Sequence, residues 1–292
     1  MQLGIFAPPV HRPEKPYGQM LAEDREMVIL ADRLGYDEVW IGEHFTSVVE
    51  GVTSPMMFLA TVIGETSRIR LGTGVVNLPH HHPGIVAAEA AMLDHLSGGR
   101  LMLGVGAGSF APDLEFFGKV DVATRNATML AYIEAMQRLW ATDAPFDFEA
   151  AGVRMSVTDT HWPRHALGVV PKPLQQPHPP LALALGSAAS VSAAICAERD
   201  FIPISNNNIA EADVIRQWET YAAARLAAGK PVDRSVWRIA RNNLVTETDA
   251  EAEAVTSDPD GDLAFFYRFL RSLRHIADLD DMRDEPTDAL DA

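Results

Sequence analysis

EVWIGEHF, residues 38–45, reads as a buried strand that stops abruptly on two adjacent ionisable side chains, Glu43 and His44. Its residues are apolar in succession rather than in alternation, as in strands covered on both faces. Six further segments have a similar look: LGIFAP from Leu3, IRLGTGVVNL from Ile69, RLMLGVGAG from Arg100, PLALALG from Pro180, FIPIS from Phe201 and WRIARNNLVT from Trp237. Helical patterns lie between them. Met20, Leu21, Met27, Val28, Ala31 and Leu34 share one face of the first, and Met129, Leu130, Ile133, Met136 and Trp140 share one face of another. Strand and helix alternating at intervals of about thirty residues predict a parallel sheet. So many units in one chain favour closure into an α/β fold of the TIM type, a (β/α)8 barrel, with a doubly wound open sheet as the alternative.

Two stretches interrupt this rhythm. Between about 141 and 179 the chain reads FDFEAAGVRMS, a hairpin pattern turning at Ala150, Ala151 and Gly152, and then the proline-rich VVPKPLQQPHPP. An insertion of this length between strands 4 and 5 is expected to cover the substrate. The chain also ends without a recognisable eighth strand: DLAFFYRFLRSLRHI is followed by the acidic ADLDDMRDEPTDALDA. We therefore expect one barrel domain over residues 1–275 and a flexible or truncated segment over 276–292, with the missing strand beyond Ala292.

Composition narrows the function. Among 292 residues, 40 acidic against 24 basic side chains give a formal charge of −16, which disfavours nucleic acid and anionic membrane as partners. No apolar run approaches the roughly 20 residues of a membrane span, and a cytoplasmic location is expected. The single cysteine, Cys196, sits among small residues in a helical pattern and reads as a buried structural thiol.

In a barrel the C-terminal strand ends open into the mouth where chemistry takes place. Glu43 and His44 stand at such an end. Asn77, the group Gly106, Gly108 and Ser109, the pair Gly186 and Ser187, and the pair Ser205 and Asn206 stand at others. These are small or polar residues that let a ligand approach the backbone. By position alone His44 fits a catalytic acid–base or a structural histidine equally well. Glu43 fits an orienting, cofactor-binding or helix-capping carboxylate. The run His80, His81, His82 lacks a carboxylate or cysteine set to complete a metal site, and adjacent residues of an extended chain point to opposite faces. No metal is expected.

EVWIGEHF, LGTGVVNLPHHHP, LDHLSGGRLMLGVGAG, ATRNATM and LALALGSAAS resemble, in order and spacing, the bacterial luciferase-like flavin monooxygenases, from about Leu3 to about Thr246. The LPHHHP and GVGAGSF wording resembles the limonene and related terpene or ketone monooxygenases. The resemblance implies a two-component enzyme: a separate flavin reductase supplies reduced FMN, which reacts with O2 to a flavin hydroperoxide that oxygenates a small apolar organic substrate. It implies that His44 is the catalytic histidine, with Glu43 beside it, and that His82 lies near the site. It also implies a non-proline cis peptide at Gly74-Val75, near Asn77, a phosphate contact at Arg125, and a homodimer pairing through the helices after the second and third strands. Gly106, Ala107, Gly108 and Ser109, together with Gly186, Ser187 and Ser190, could then offer amides and hydroxyls to the cofactor. The chain departs from luciferase itself in carrying Ala107 where an arginine binds phosphate. Three alternatives stay open: a deazaflavin-dependent oxidoreductase of the same fold, a non-catalytic flavin-binding barrel, and a metal-dependent barrel hydrolase. Met56, Met57, Phe58, Phe110, Phe116 and Phe117 could line an apolar pocket or be plain core.

Overall fold

The computed structural model describes residues 2–7, 9–119, 121–187 and 191–277. The strands are β1 (Gly4–Ala7), β2 (Glu38–Ile41), β3 (Arg70–Thr73), β4 (Val76–Asn77), β5 (Leu101–Gly106), β6 (Phe146–Ala150), β7 (Val153–Val157), β8 (Leu181–Leu185), β9 (Ile202–Ser205) and β10 (Arg238–Ile239). The α-helices are α1 (Tyr17–Leu34), α2 (Pro55–Ala60), α3 (Pro83–Leu96), α4 (Ala111–Phe116), α5 (Val122–Ala141), α6 (Val191–Arg199), α7 (Glu211–Ala227), α8 (Asp249–Ser257) and α9 (Asp262–Ala277).

One parallel sheet runs β1-β2-β3-β5-β8-β9-β10, with β4 continuing the β3 position alongside β5. All seven strand segments read from the sequence are present, in the expected order. Among the described residues no ladder joins β1 to β10, so the sheet is a curled, unclosed barrel. Leu71 pairs with Leu101, an offset of 30, whereas Val76 pairs with Val105, an offset of 29. One extra residue is therefore taken up between β3 and β4, a bulge that bends the strand. The Gly74-Val75 peptide lies there and is cis, as the resemblance implied.

Alternation along β2 divides the core in two. Val39 and Ile41 face the helices and join the large cluster that includes Leu71, Leu103, Leu183 and Ile133. Trp40 faces the interior of the curl with Met102, Ala182 and Ile204, flanked by Phe6. Its indole lies flat against the neighbouring strand, where a Cβ on Gly72 would come within 2.4 Å of Trp40 Cε3. Below it, Trp40 Nε1 donates to Glu38 Oε1 at 2.9 Å, and Arg238 Nη2 of β10 donates to Glu38 Oε2 at 2.9 Å. A largely buried ion pair thus crosses the interior between the second strand of the sheet order and the last.

The helical faces follow the sequence pattern except at Leu34, which is 67% exposed at the last position of α1. There Gly35, at φ 87, ends the helix and turns the chain away before Leu34 reaches the core. The insertion does form a hairpin, β6 with β7, turning through Ala151 (φ 45) and Gly152 (φ 81). The hairpin itself does not cover the mouth. Phe146 and Met155 join the helix-side core, and Arg138 of α5 lies over Phe148 at 4.2 Å, so the hairpin packs beside the C-terminal half of α5, away from the strand ends that carry His44. Residues 278–292, most of the acidic segment, lie outside the described residues. Among the described residues no helix is long and apolar enough to cross a membrane.

Gly72→Ala should be destabilising, because the added methyl meets the face of a ring that is itself locked by a hydrogen bond and by neighbours on both sides. We expect a loss of about 1–3 kcal/mol, read as a lower denaturant midpoint at unchanged slope.

Candidate active site

The chain leaving β2 is held before it reaches His44: Gly42 N donates to Ala7 O at 3.3 Å, and His44 N donates to Val52 O at 3.0 Å. The imidazole then stands between two acids. Nε2 is 3.1 Å from Glu50 Oε2, Nδ1 is 3.6 Å from Asp113 Oδ2, and the ring of Phe110 meets its edge at 4.8 Å. Asp113, on α4 and 1% exposed, accepts from Phe45 N at 3.1 Å, from Thr46 N at 2.8 Å and from Thr46 Oγ1 at 2.5 Å. Burial would raise its pKa, but His44, Thr46 and the Phe45 amide hold it below the usual carboxylate value. Glu50 has no such set of donors. Burial first, and then the charge of Asp113, push its pKa up, with His44 working against them. For His44 burial disfavours the imidazolium, yet Asp113, Glu50 and Glu43 overcome it and raise its pKa.

Glu43 performs a different task from the one its place beside His44 suggests. Its buried carboxylate accepts from Asn77 N at 2.8 Å and meets His81 Nε2 at 3.0 Å, while its carbonyl accepts from Asn77 Nδ2 at 3.2 Å. It therefore fastens the end of β2 to β4 and the turn after it, and the groups that flank the imidazole of His44 are Glu50 and Asp113. Neither acid stands out in the sequence. Glu50 lies in a mixed run six residues beyond the histidine, and Asp113 is 69 residues away on a short helix.

The three adjacent histidines separate completely. His82 Nδ1 accepts from Gly84 N at 3.1 Å and caps α3, the ordinary helix-entry role. His81 is paired to Glu43, which overcomes burial and raises its pKa. His80 stacks on Phe117 at 4.6 Å, with neither ring nitrogen hydrogen-bonded, and burial drops its pKa to about 4. Among the described residues no group of three or more His, Cys, Asp or Glu side chains is placed to hold a metal ion.

The expected cofactor residues gather on adjacent strand ends. Gly106 has room for no side chain, since a Cβ would lie 2.7 Å from Val75 Cγ2, beside the bulge at Gly74. Ala107 is half-buried and Ser109 exposed. Gly108 adopts φ 78, and its carbonyl accepts from Arg125 Nη1. Arg125 is buried, its Nε is without a hydrogen-bond partner, and burial lowers its pKa. β5 and β8 pair in parallel, so the chain at Gly108 and the chain at Gly186 leave the sheet at the same end from adjacent strands. Gly186 and Ser187 are exposed at the end of β8; Ser190 lies outside the described residues. Of the expected pocket residues, Met56 and Phe58 are core and Met57 is 73% exposed on α2, whereas Phe110 and Phe117 border His44 and His80. Phe116 packs on Phe117 but is largely exposed.

The luciferase-like monooxygenase family matches residues 1–291. The chain is 34% identical over 263 residues to 4-hydroxyprotoasukamycin monooxygenase of Streptomyces nodosus subsp. asukaensis, covering 86% of this chain and 66% of that one. It is 33% identical over 258 residues to limonene 1,2-monooxygenase of Rhodococcus erythropolis, covering 87% and 63%. It thus spans somewhat less than two thirds of the length of these curated relatives. Among solved structures, the oxygenating constituent of 3,6-diketocamphane monooxygenase from Pseudomonas putida superposes with a TM-score of 0.84 at 24% identity, over 95% of this chain and 77% of that chain. The monooxygenase RslO1 of Streptomyces bottropensis gives 0.76 at 28% identity, over 87% and 74%. The chain belongs to the luciferase-like monooxygenase family.

His80 should mark the acid limb of stability. Folded, it stays neutral down to about pH 4; unfolded, it takes up a proton near its ordinary value of 6.5. The unfolded state binds more protons in that window, so the stability His80 contributes is complete above pH 6.5 and is lost as pH falls towards 4. His80→Phe, which keeps the stack on Phe117, should flatten the fall in denaturant midpoint over that window relative to wild type.

Proposed function

We propose that the chain carries the catalytic barrel of the oxygenase component of a two-component flavin-dependent monooxygenase, taking reduced FMN from a separate flavin reductase and using O2 to oxygenate a small apolar organic substrate. One observation carries the reading: a histidine at a strand end of a luciferase-like barrel stands between two buried acids, Asp113 on its Nδ1 side and Glu50 on its Nε2 side. The relatives support it. Two are named as monooxygenases, a third as the oxygenase component of a flavin-dependent trigonelline monooxygenase, and one structural neighbour is described in complex with FMN.

The residues present suit that cofactor. Gly74 and Gly106 leave backbone without side chains of its own beside Val75 and Asn77, and Ala107, Gly108, Ser109, Gly186 and Ser187 offer backbone and hydroxyl groups to an anionic tail. Arg125, buried and with Nε unpartnered, supplies the positive charge. Reduced FMN would provide the electrons that dioxygen activation requires, which no side chain of this chain can do. One oxygen atom passes to the substrate and the other leaves as water, so a proton must be delivered in a space kept from bulk solvent.

We assign that delivery to His44, with Asp113 at 3.6 Å from Nδ1 and Glu50 at 3.1 Å from Nε2 as the acids that favour its protonated form. Glu43 supports the site by anchoring Asn77 and His81. Phe110 and Phe117 give the pocket an apolar wall. We further read the protein as a homodimer, since Met57 on α2 and Ile85 and Met92 on α3 leave exposed apolar surface on two packed helices, and as cytoplasmic, in keeping with an acidic surface and one buried thiol.

Rapid mixing of protein, reduced FMN and O2 should show a transient flavin absorbance preceding reoxidation, and its absence would count against the reading. His44→Ala should leave FMN binding intact and cut oxygenated product per reduced FMN by about 10²-fold. Glu50→Gln removes a negative neighbour, so His44 should lose its proton at lower pH, and the alkaline limb of product yield should move down. Arg125→Ala should weaken FMN much more than riboflavin, because only FMN carries the phosphate; equal losses would remove Arg125 from the assignment.

A further inference from the structure

A hydrogen-bond chain runs beneath the turn that follows β8. Trp237 Nε1 donates to Ser205 Oγ at 3.0 Å, Ser205 Oγ donates to Gln217 Oε1 at 2.7 Å, and Gln217 Nε2 donates to Ser187 O at 2.8 Å, with Leu185 O farther off at 3.4 Å. Its direction is forced from both ends. An indole N–H can only donate and a backbone carbonyl can only accept, so the hydroxyl and the carboxamide between them each have one arrangement. Ser205 and Gln217 are both fully buried. Trp237, the origin of the chain, is wedged edge-on against Trp218 at 5.6 Å and Tyr221 at 5.2 Å, both on α7 with Gln217.

A leucine would fill the space of Gln217 without the cost of burying a carboxamide, but it would leave these carbonyls without their side-chain donor. The site that needs this donor is the turn itself. In a trans peptide the carbonyl and the following amide point opposite ways, so drawing Leu185 O towards α7 turns the Gly186 amide away from α7. Gly186 follows β8, the strand that pairs in parallel with β5, and Gly108 follows β5, where its carbonyl accepts from Arg125.

We infer that Gln217 is a positioning residue for the phosphate end of the cofactor, holding the Gly186 and Ser187 turn in the orientation that receives it, through a relay anchored on Trp237. The assignment rests on the FMN reading above. It predicts a selective loss: the turn serves the phosphate and not the ring, so disturbing Gln217 should change FMN affinity and spare riboflavin.

Binding of oxidised FMN and of riboflavin is measured by fluorescence titration on the full chain, for wild type, Gln217→Glu and Gln217→Leu. Val28→Ala in the α1 core serves as a control for general destabilisation. Both Gln217 variants should weaken FMN by about tenfold, the scale of one lost hydrogen bond, while riboflavin changes by less than about threefold. Val28→Ala should leave the ratio of the two affinities at its wild-type value. Should the Gln217 variants fail to fold, Ser205→Ala interrupts the relay one step earlier and should lower the ratio in the same direction. An unchanged ratio in folded variants, or a ratio that falls equally in Val28→Ala, would overturn the inference while leaving the FMN reading intact. Wild-type protein that binds riboflavin as tightly as FMN would overturn the phosphate assignment as a whole.

Discussion

The pair between Glu38 and Arg238 is the constraint around which the sheet is arranged. It joins the second strand to the last one in the described sheet by crossing the interior, where no ladder connects the two ends. Two buried charges are costly unless each is fully engaged. Here Arg238 Nε and Nη2 both point at the Glu38 carboxylate, and Trp40 Nε1 supplies a further donor. Removing either partner would leave the other as an uncompensated interior charge, worth about 3–5 kcal/mol in comparable cases. The pair therefore specifies how far the sheet curls, and with it the distance between the strand ends that form the site.

Strand parity carries this constraint to the chemistry. With Glu38 and Trp40 inside, Val39 and Ile41 must face the helices, and β2 is spent by the time the chain reaches Gly42. Glu43 and His44 then leave the ladder together and part company. Glu43 turns to the neighbouring strand, where the bulge between β3 and β4 leaves the Asn77 amide to be satisfied, and its carboxylate does so. His44 turns to the mouth and meets acids from the loop after β2 and from α4. Two ionisable residues at one strand end thus divide into a carboxylate that ties two strands together and an imidazole set between two acids, according to which elements they reach.

The parts legible in the sequence are those set by local periodicity or by ordered motifs. The seven strands, the hairpin at Ala151 and Gly152, the helix face from Met129 to Trp140 and the unusual peptide at Gly74 belong to this class. What escaped has a common physical origin. Asp113 and Glu50 owe their role to long-range packing around His44, and nothing in SFAPDLEFF or VVEG signals it. His80, His81 and His82 have one composition and three environments, fixed by Phe117, Glu43 and Gly84 respectively. Leu34 fits the apolar stripe of α1 yet lies at the point where Gly35 ends the helix, beyond the reach of the core. The hairpin was legible, but not the surface it packs against, because Phe146 and Met155 look the same whether they cover a mouth or fill a core.

Electrostatics give the last step. In a chain of net charge −16 the long-range field repels an anionic cofactor, so affinity for one must be local. Only short-range donors in a site of reduced dielectric can outweigh that field, and they must be fixed in place beforehand. Arg125 meets the condition: it is buried and partly committed to the Gly108 carbonyl, which holds its guanidinium still at some expense in donors. With Ala107 offering no second cation, the proposed site would draw its remaining attraction from backbone amides and hydroxyls at the ends of β5 and β8. Such weak dipoles bind an anion only when several converge without further reordering. On the proposed reading, the side-chain hydrogen bonds beneath those turns bear on cofactor affinity as directly as the residues that would touch the phosphate.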